Sequence, residues 1–385
     1  MNTTDAIVIV GGGPVGLALA LALQQKAIPF KVLEARPQGA AHQDTRALAL
    51  SYGTKLILER LGVWAQVEPL ATAIQTIHIS QRGGLGRTKL QAQEHQLPAL
   101  GYVVSYGALM QALDSAIDHQ HVLYQAAARA ILPRDHHAEV SFEVAGKTEQ
   151  LRSALLVIAD GGRSLEEVPG LMRETKAYGH DALVSKVKAE MSHNNVAYER
   201  FTATGPMALL PNGASDFSLV WTGEKDMVDR LLTLDDATFL SELHAAFGDR
   251  VGQFLSIEKR MSFPLKLSSL SMTDAAHVVV IGNAAQTMHP VAGQGFNVGM
   301  RDAWTLVDLI ANTSAAQLGG APMLAEYRQR RQADTRGGLL FTDFLVNVFT
   351  NQTLGVASLR GLGLAMLQHF PPIKRVLVNK LSFGK

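Results

Sequence analysis

A short apolar run, Ala6–Val10, stops on consecutive glycines and continues as Gly11-Gly12-Gly13-Pro14-Val15-Gly16, a G-x-G-x-x-G. No other feature restricts the fold as much. A continuous apolar run of strand length suits a central parallel strand, buried on both faces. Val15–Lys26 carries small and aliphatic residues suited to a helix, and Phe30–Leu33 is a second strand ending at Glu34. Strand, tight turn, helix and strand make a βαβ unit. Gly11 permits the turn, Gly13 lets the backbone approach a pyrophosphate, and Gly16 allows close helix–strand packing. The helix N-terminus adds unpaired N–H groups and a partial positive charge. Glu34 is placed to accept hydrogen bonds from adenosine ribose hydroxyls. A glycine pattern alone fits an ordinary turn as well, but the flanking strand, helix and second-strand acid together predict dinucleotide binding. The motif does not separate NAD from FAD.

At 385 residues the chain exceeds a single core of roughly 100–200 residues, so two packed domains are expected. Hydrophobic residues at 47% and charged residues at 18% suit a globular protein with a sizeable core. With 35 basic against 34 acidic residues and no Lys/Arg-dense run, nothing calls for nucleic acid. Cysteine is absent, which removes disulfides, thiolate metal sites, iron–sulfur clusters and cysteine nucleophiles. The N-terminal apolar run is too short to span a membrane and follows Asp5 rather than a basic segment, so an unexported, cytoplasmic chain is expected.

Further along, Gly53–Trp64 predicts an amphipathic helix, Ile74–Ser80 a strand, Gly83–Gly86 a turn, Tyr102–Ser105 a strand and Tyr106–Ile117 a helix. Leu155–Ala159 is a buried strand ending at Asp160-Gly161-Gly162, which presents a carboxylate at the sheet edge where ligands of open α/β sheets bind. By composition alone it is equally a strand and a turn. From Ala177 to about Phe263 short strands alternate with turns, interrupted by a helix near Asp236–Phe247. His277–Ile281 is again a buried strand, ending at Gly282-Asn283. The loop that follows, His289 to Met300, contains Gly293, Gly295, Phe296 and Asn297 and feeds a helix, so its backbone N–H groups face a second negatively polarised site. Beyond Met300 the pattern is mainly helical. One nucleotide-binding sheet assembled from discontinuous segments, with the antiparallel block inserted as a second domain, accounts for this order.

These three motifs in this order resemble the class A flavoprotein aromatic hydroxylases over nearly the whole chain. Arg46-Ala47-Leu48-Ala49-Leu50-Ser51 and His289-Pro290 through Asn297-Val298-Gly299 resemble the ubiquinone-biosynthesis branch, while Glu199-Arg200-Phe201-Thr202, Gly205 to Pro211, Ser218 to Trp221 and Gly282 to Thr287 are similar to its 2-polyprenyl-6-methoxyphenol hydroxylases. The resemblance implies an α/β fold: an FAD-binding Rossmann-like domain of the p-hydroxybenzoate-hydroxylase-like type, formed by 1–72, 101–176 and 272–325. It implies an inserted, mainly antiparallel β-sheet substrate domain at 73–100 and 177–271, and C-terminal helices over 326–385. It assigns Gly11, Gly13, Gly16 and Glu34 to the ADP half of FAD, and Arg46 to the flavin and pyrophosphate. Asp160 falls in a motif associated with both FAD and NAD(P)H. Gly282 and Asn283 go to the ribityl and pyrophosphate region, and Gly293, Gly295, Phe296 and Asn297 to the flavin's pyrimidine edge. Gln111 is counted with the cofactor residues. Two departures stand out: Asn283 replaces the wider family's Asp, and Tyr106 stands where many relatives have Arg.

The implied chemistry is reduction of FAD by NAD(P)H, addition of O2 to give a C4a-hydroperoxyflavin, and hydroxylation of an electron-rich polyprenylated phenol. An apolar tunnel walled by Met207–Leu210 and Phe217–Trp221 is expected beside the flavin. No catalytic side chain and no metal site is assigned: His289 precedes a proline and is expected to be structural, and Trp221 to be core. Arg163 and Arg301 fit ion pairs as well as phosphate contacts. Phe341–Phe349 and Leu362–Phe370 are apolar, and Pro371-Pro372 precedes Lys374, Arg375, Lys380 and Lys385. This end is either a helical subdomain on the FAD domain or an amphipathic surface with a basic end for peripheral membrane contact. Two other functions remain open: a flavin-dependent reductase or dehydrogenase of the same fold, and a non-catalytic flavoprotein subunit of a biosynthetic complex.

Overall fold

The computed structural model describes residues 4–83, 86–165, 168–202, 204–270, 272–287, 294–332, 334 and 370–384. Thr4–Val10 forms the centre of a parallel sheet, with Lys31–Glu34 on one side and the second half of Lys147–Ile158 on the other. Val122–Tyr124 lies outside Lys31–Glu34, and Val278–Val280 outside Lys147–Ile158. Along the chain these strands have the spatial order 3-2-1-4-5. That is the doubly wound order, and its reversal between the first and fourth strands opens a crevice at their C-terminal ends.

Pro14 starts the helix Pro14–Gln25, where its missing N–H and fixed φ cost nothing. Every residue from Leu17 to Leu23 on that helix is buried. It lies against both Tyr106–Ala116 and Gln294–Ala311. The strand Lys147–Ile158 serves two ladders. Its first half pairs antiparallel with Ala138–Val144, which pairs in turn with Ala127–Pro133. The polar Asp135–His136 turn joins those last two.

A second, mainly antiparallel sheet runs in the order Gln286–Thr287, Met261–Leu270, Arg173–Ala189, Asp216–Glu224, Gly205–Asn212, Val196–Thr202, Thr76–Gln81 and Arg87–Gln91. Alternate residues Leu183, Met207, Leu209, Phe217, Leu219 and Trp221 are buried in one cluster with Val228, Leu231, Phe239, Leu243 and Phe247 of the helices Lys225–Thr233 and Asp236–Phe247. Trp221 is therefore core. The tunnel wall needs correcting: Met207, Leu209, Phe217, Leu219 and Trp221 belong to this helical side of the sheet. The opposite face is left to Ala208, Leu210, Ser218 and Val220.

A small sheet of Ala47–Ser51, Gly101–Ser105 and Thr72–Ile74 lies between the two. The single strand expected over Ile74–Ser80 divides at Gln75 between this sheet and Thr76–Gln81 of the large one. The Gln75 N–H donates to the Asn195 carbonyl and its side-chain Nε2 to Pro98 O, 2.8 and 2.7 Å. The amphipathic helix expected over Gly53–Trp64 ends at Arg60. Gly62 has φ +76°, and Trp64–Val67 forms a separate turn. Near the C-terminus, Pro371–Phe383 packs Val378, Leu377 and Leu381 against Leu90, Leu100 and Ile79. Phe341–Phe349 and Leu362 to 369 lie outside the described residues. Among the described residues no helix is long and apolar enough to cross a membrane.

Candidate functional site

The glycines bring the separated motifs into contact. Gly11 has φ +105°, and a Cβ there would lie 2.6 Å from the Asp160 Cα, so the first turn rests directly on the backbone of the second motif. A Cβ on Gly16 would run into the Gly11 carbonyl oxygen, closing the helix onto the turn. The third motif reaches the same place. A Cβ on Gly282 would lie 3.3 Å from Val15 Cγ1, and one on Gly299 would lie 3.0 Å from both Val15 Cγ2 and Gly282 Cα. Arg173 joins the second and third motifs: its guanidinium fills the space beside Gly162 and donates from Nη2 to the Ala284 carbonyl at 3.2 Å. The three motifs thus meet at the crevice of the parallel sheet.

Gly13 is different. A Cβ there would meet only the Tyr106 hydroxyl, at 3.9 Å, and Gly161 has no neighbour within contact range. Gly13 also stands at the N-cap of Pro14–Gln25 with an extended φ of −71°. Space is therefore kept open over a helix N-terminus, where unpaired N–H groups favour an anion.

A small, partly open cleft adjoins this point, bounded among others by Gly12, Glu34, Arg36, His42, Asp114 and Tyr124. Glu34 is 7% exposed and accepts from the Gly12 N–H at 2.6 Å through Oε2. Its Oε1 accepts from the Arg36 N–H and Nε at 2.9 and 2.8 Å. A carboxylate offers about four acceptor positions, so capacity remains for a ribose hydroxyl. Asp114 holds the far wall, pairing with His42 Nε2 at 3.2 Å and accepting from the Tyr124 hydroxyl at 2.7 Å. Burial and that hydrogen bond to Asp114 push the Tyr124 phenol above its usual range. These polar groups, with the spare acceptor position on Glu34, suit the hydroxyls of a ribose at the edge of a longer site.

Asp160 stands at the sheet edge, yet its carboxylate turns back on its own loop, accepting from the Gly162 N–H, the Ser164 N–H and the Ser164 hydroxyl at 2.8, 2.9 and 2.7 Å. Arg46 pairs with Asp44, its Nε 2.9 Å from Oδ1, and its guanidinium lies over the rings of Tyr106 and Phe263 at 5.3 and 5.9 Å. Arg36 also lies close enough to act on the Tyr106 phenol, so two cations flank the position that lacks an arginine. Burial is the largest influence on the Tyr106 phenol and pushes it up. Gln111 is exposed on the Tyr106–Ala116 helix, away from these contacts.

Asn297 is buried, and its side chain ties three elements together. Oδ1 accepts from the Ser51 N–H and the Thr54 hydroxyl at 2.8 and 2.7 Å, and Nδ2 donates to the Ala49 carbonyl at 3.0 Å. Gly295 lies beside Asn283, whose Oδ1 would be 3.8 Å from a Cβ there, and Phe296 packs at the rim of the main core. Gly293 and His289 lie outside the described residues. Beneath this turn the Gly282 N–H donates to Asp302 Oδ2 at 2.9 Å, and Asp302 pairs with Arg331, 2.6 Å between Oδ1 and Nε. Arg331 and Arg301 both bind Asp334, each at 2.7 Å. Arg301 is thus an ion-pair residue, and Arg163 is exposed. Among the described residues no group of His, Asp or Glu could hold a metal ion.

The model of a family described as an FAD binding domain matches residues 3–337. The chain belongs to this FAD-binding family. It is 35% identical over 97% of its length to the ubiquinone hydroxylase UbiL of Rhodospirillum rubrum, covering 88% of that protein. It is 30% identical to the 3-demethoxyubiquinol 3-hydroxylase of Escherichia coli, with 97% of each chain covered. Its fold is similar to that of p-nitrophenol 4-monooxygenase PnpA from Pseudomonas putida, with a TM-score of 0.79, 17% identity and 99% of each chain covered. FAD is the cofactor, and the chain is a flavin-dependent hydroxylase. The residues present fit that group: glycines that a Cβ would block, an open N-terminal cradle at Gly13 and a polar cleft beside Glu34 line one crevice.

The residues that sequence reasoning missed are Arg36, His42, Asp114, Tyr124 and Arg173. Only Arg36 carried a local signal, two positions after the acid that ends the second strand.

Proposed function

We propose that the chain hydroxylates the ring of a polyprenylated phenol in ubiquinone biosynthesis, with FAD bound and with NAD(P)H and O2 as co-substrates. The observation that carries this reading is the meeting of Gly11–Gly16, Asp160–Gly162 and the pair Gly282 and Gly299 at one crevice. It occurs in a chain similar along nearly its whole length to proteins named as ubiquinone hydroxylases.

Gly11, Gly13, Gly16 and Glu34 hold the ADP half, with the Gly13 N-cap facing the pyrophosphate. Arg46 lies on the side of the flavin, and Asp160 acts by shaping its loop rather than by direct contact. Gly282, Asn283, Gly293, Gly295, Phe296 and Asn297 supply backbone N–H groups toward the ribityl chain and the pyrimidine edge. Bound FAD supplies electron transfer from NAD(P)H and oxygen transfer from O2. The chain itself must bind the phenol, orient its ring and keep water away from the reacting atoms. The residues around 73–100 and 177–271 form the substrate side of this arrangement, and those of 1–72, 101–176 and 272–325 the cofactor side. A cytoplasmic enzyme resting on the inner membrane face, where such a phenol resides, fits the basic C-terminal end.

The test is oxygen uptake by the purified protein with NAD(P)H, with and without a geranyl-substituted phenol. Uptake stimulated by the phenol, with a product heavier by one oxygen, is the predicted result. Phenol-independent reduction of a double bond would instead favour a reductase of the same fold, and no turnover at all a non-catalytic flavoprotein.

A further inference from the structure

Strand alternation gives the large sheet a second face, opposite its helical core. On it Glu199 stands opposite Ala208, Ala208 opposite Val220, Val220 opposite Val184, and Val184 opposite Met261. The neighbouring row contains Phe263 opposite Ala182 and Ala182 opposite Thr222. Phe263 lies under the Arg46 guanidinium, and Ala197 and Leu210 of the same face pack with Ala47. This face is therefore turned toward Arg46–Ala47 and the cofactor crevice.

The Glu199 row is a partly exposed apolar wall with one ionisable side chain. Ala208, Val220, Val184 and Met261 are partly exposed, whereas Met207, Leu209, Leu219 and Leu183 beside them are at most 1% exposed. Glu199 has no hydrogen bond or ion pair among the described residues. Part of its surface is accessible, yet the surrounding protein withholds enough water to push its carboxyl up to about 8. Glu199 therefore lies on the inner, partly covered face of the sheet, beside Ala208 and Val220, rather than on the outer surface. An unpartnered carboxyl in such a place is costly, and a hydrogen-bond donor on a ligand removes the cost.

We propose that Glu199 binds the phenolic hydroxyl of the substrate, accepting its O–H hydrogen bond and holding the ring against Ala208, Val220 and Val184. The proposal rests on the hydroxylase reading above and assigns it a substrate-binding residue. As the ring gives electron density to the incoming oxygen, the phenolic hydrogen becomes more acidic and its bond to the accepting carboxyl oxygen strengthens. The contact thus favours the transition state over the ground state.

The experiment compares wild type, Glu199→Gln and Glu199→Leu as FAD-loaded proteins, with a geranyl-substituted phenol and its methyl ether. Binding is read from the flavin absorbance, and coupling from hydroxylated product per NAD(P)H. FAD content and melting temperature serve as fold controls. Glu199→Leu is expected to lose about ten- to a hundredfold in kcat/KM for the phenol, with hydrogen peroxide replacing product. Glu199→Gln, which keeps an acceptor, is expected to stay within about tenfold of wild type. Wild type should prefer the phenol over the ether, and Glu199→Leu should bind both alike. If wild type hydroxylates the phenol and Glu199→Leu keeps its KM, coupling and preference, this inference falls alone. If wild type hydroxylates no phenol, the functional reading falls and takes this inference with it.

Discussion

At the scale of single residues the glycines of the first turn have separable tasks. Gly13 has open space and an ordinary φ, so Gly13→Ala is expected to fold with an unchanged melting temperature while intruding on the pyrophosphate. Gly16→Ala places a methyl against the Gly11 carbonyl. It should lower stability by several kcal/mol or prevent folding, even though alanine is the better helix former. Thermal melts of the two apo-variants check this, and equal losses would contradict it. Glu199 adds a pH signature. Its native carboxyl titrates near 8 instead of 4.5, so the folded state holds the proton more tightly than the unfolded chain. Its cross-strand neighbours Ile79 and Ala208 carry no charge. Stability is therefore lost as pH rises from 4.5 to about 8. Glu199→Gln cannot ionise, so its melting temperature should exceed that of wild type by little at pH 5 and by more at pH 8.5. A difference independent of pH would refute this. The glycines were legible because each excludes a side chain for a local reason. Arg36, His42, Asp114 and Tyr124 were not, because only the assembled fold brings these ordinary polar residues to one cleft.

At the scale of elements, Asn297 pins the Gln294–Ala311 helix to Ala47–Ser51 and Tyr52–Arg60 through three hydrogen bonds. Asn297→Ala leaves the buried Ser51 N–H without its acceptor and should cost about 3 kcal/mol, together with part of the FAD affinity. Denaturant unfolding of apo- and holoprotein separates the two effects. Asp302 is a second pin. Burial pushes its carboxyl up against the opposing pull of Arg331. Asp302→Ala would leave Arg331 with Asp334 alone and release the Gly282 turn, with an expected loss of about 3 kcal/mol. Recovery on adding Arg331→Met would support the pairing, and a neutral single variant would count against it. The glycine turn and Pro14 marked Pro14–Gln25 as a helix although its Leu-Ala alternation has the period of a strand. The same local cues failed at Gln75, where long-range pairing with Asn195 decides which sheet each half joins. The Ala127–Pro133 and Ala138–Val144 hairpin was missed because short half-polar strands carry little apolar signal. The Lys225–Thr233 helix was missed for its charge.

At the scale of the whole molecule, two sheets face each other across the crevice that the three motifs enclose. The three-motif pattern made the α/β cofactor half legible from its buried strands, since Ala6–Val10, Leu155–Ile158 and Val278–Val280 are apolar throughout. The substrate half was legible only as a block of short strands. Which of its faces meets the flavin depends on register, and the helices on the other side claim the largest side chains. A ligand bound only by the native state stabilises it by mass action, about 4 kcal/mol at a thousandfold excess over Kd. The melting temperature of wild type should therefore rise with added FAD.

Titration of the apoprotein with FAD tests the common grip of the three motifs most directly. The account predicts one FAD per wild-type chain, and none for a folded Gly13→Asp protein whose new carboxylate occupies the place of the pyrophosphate. A wild type that takes up no flavin, or a Gly13→Asp variant that binds it as tightly as wild type, would contradict it.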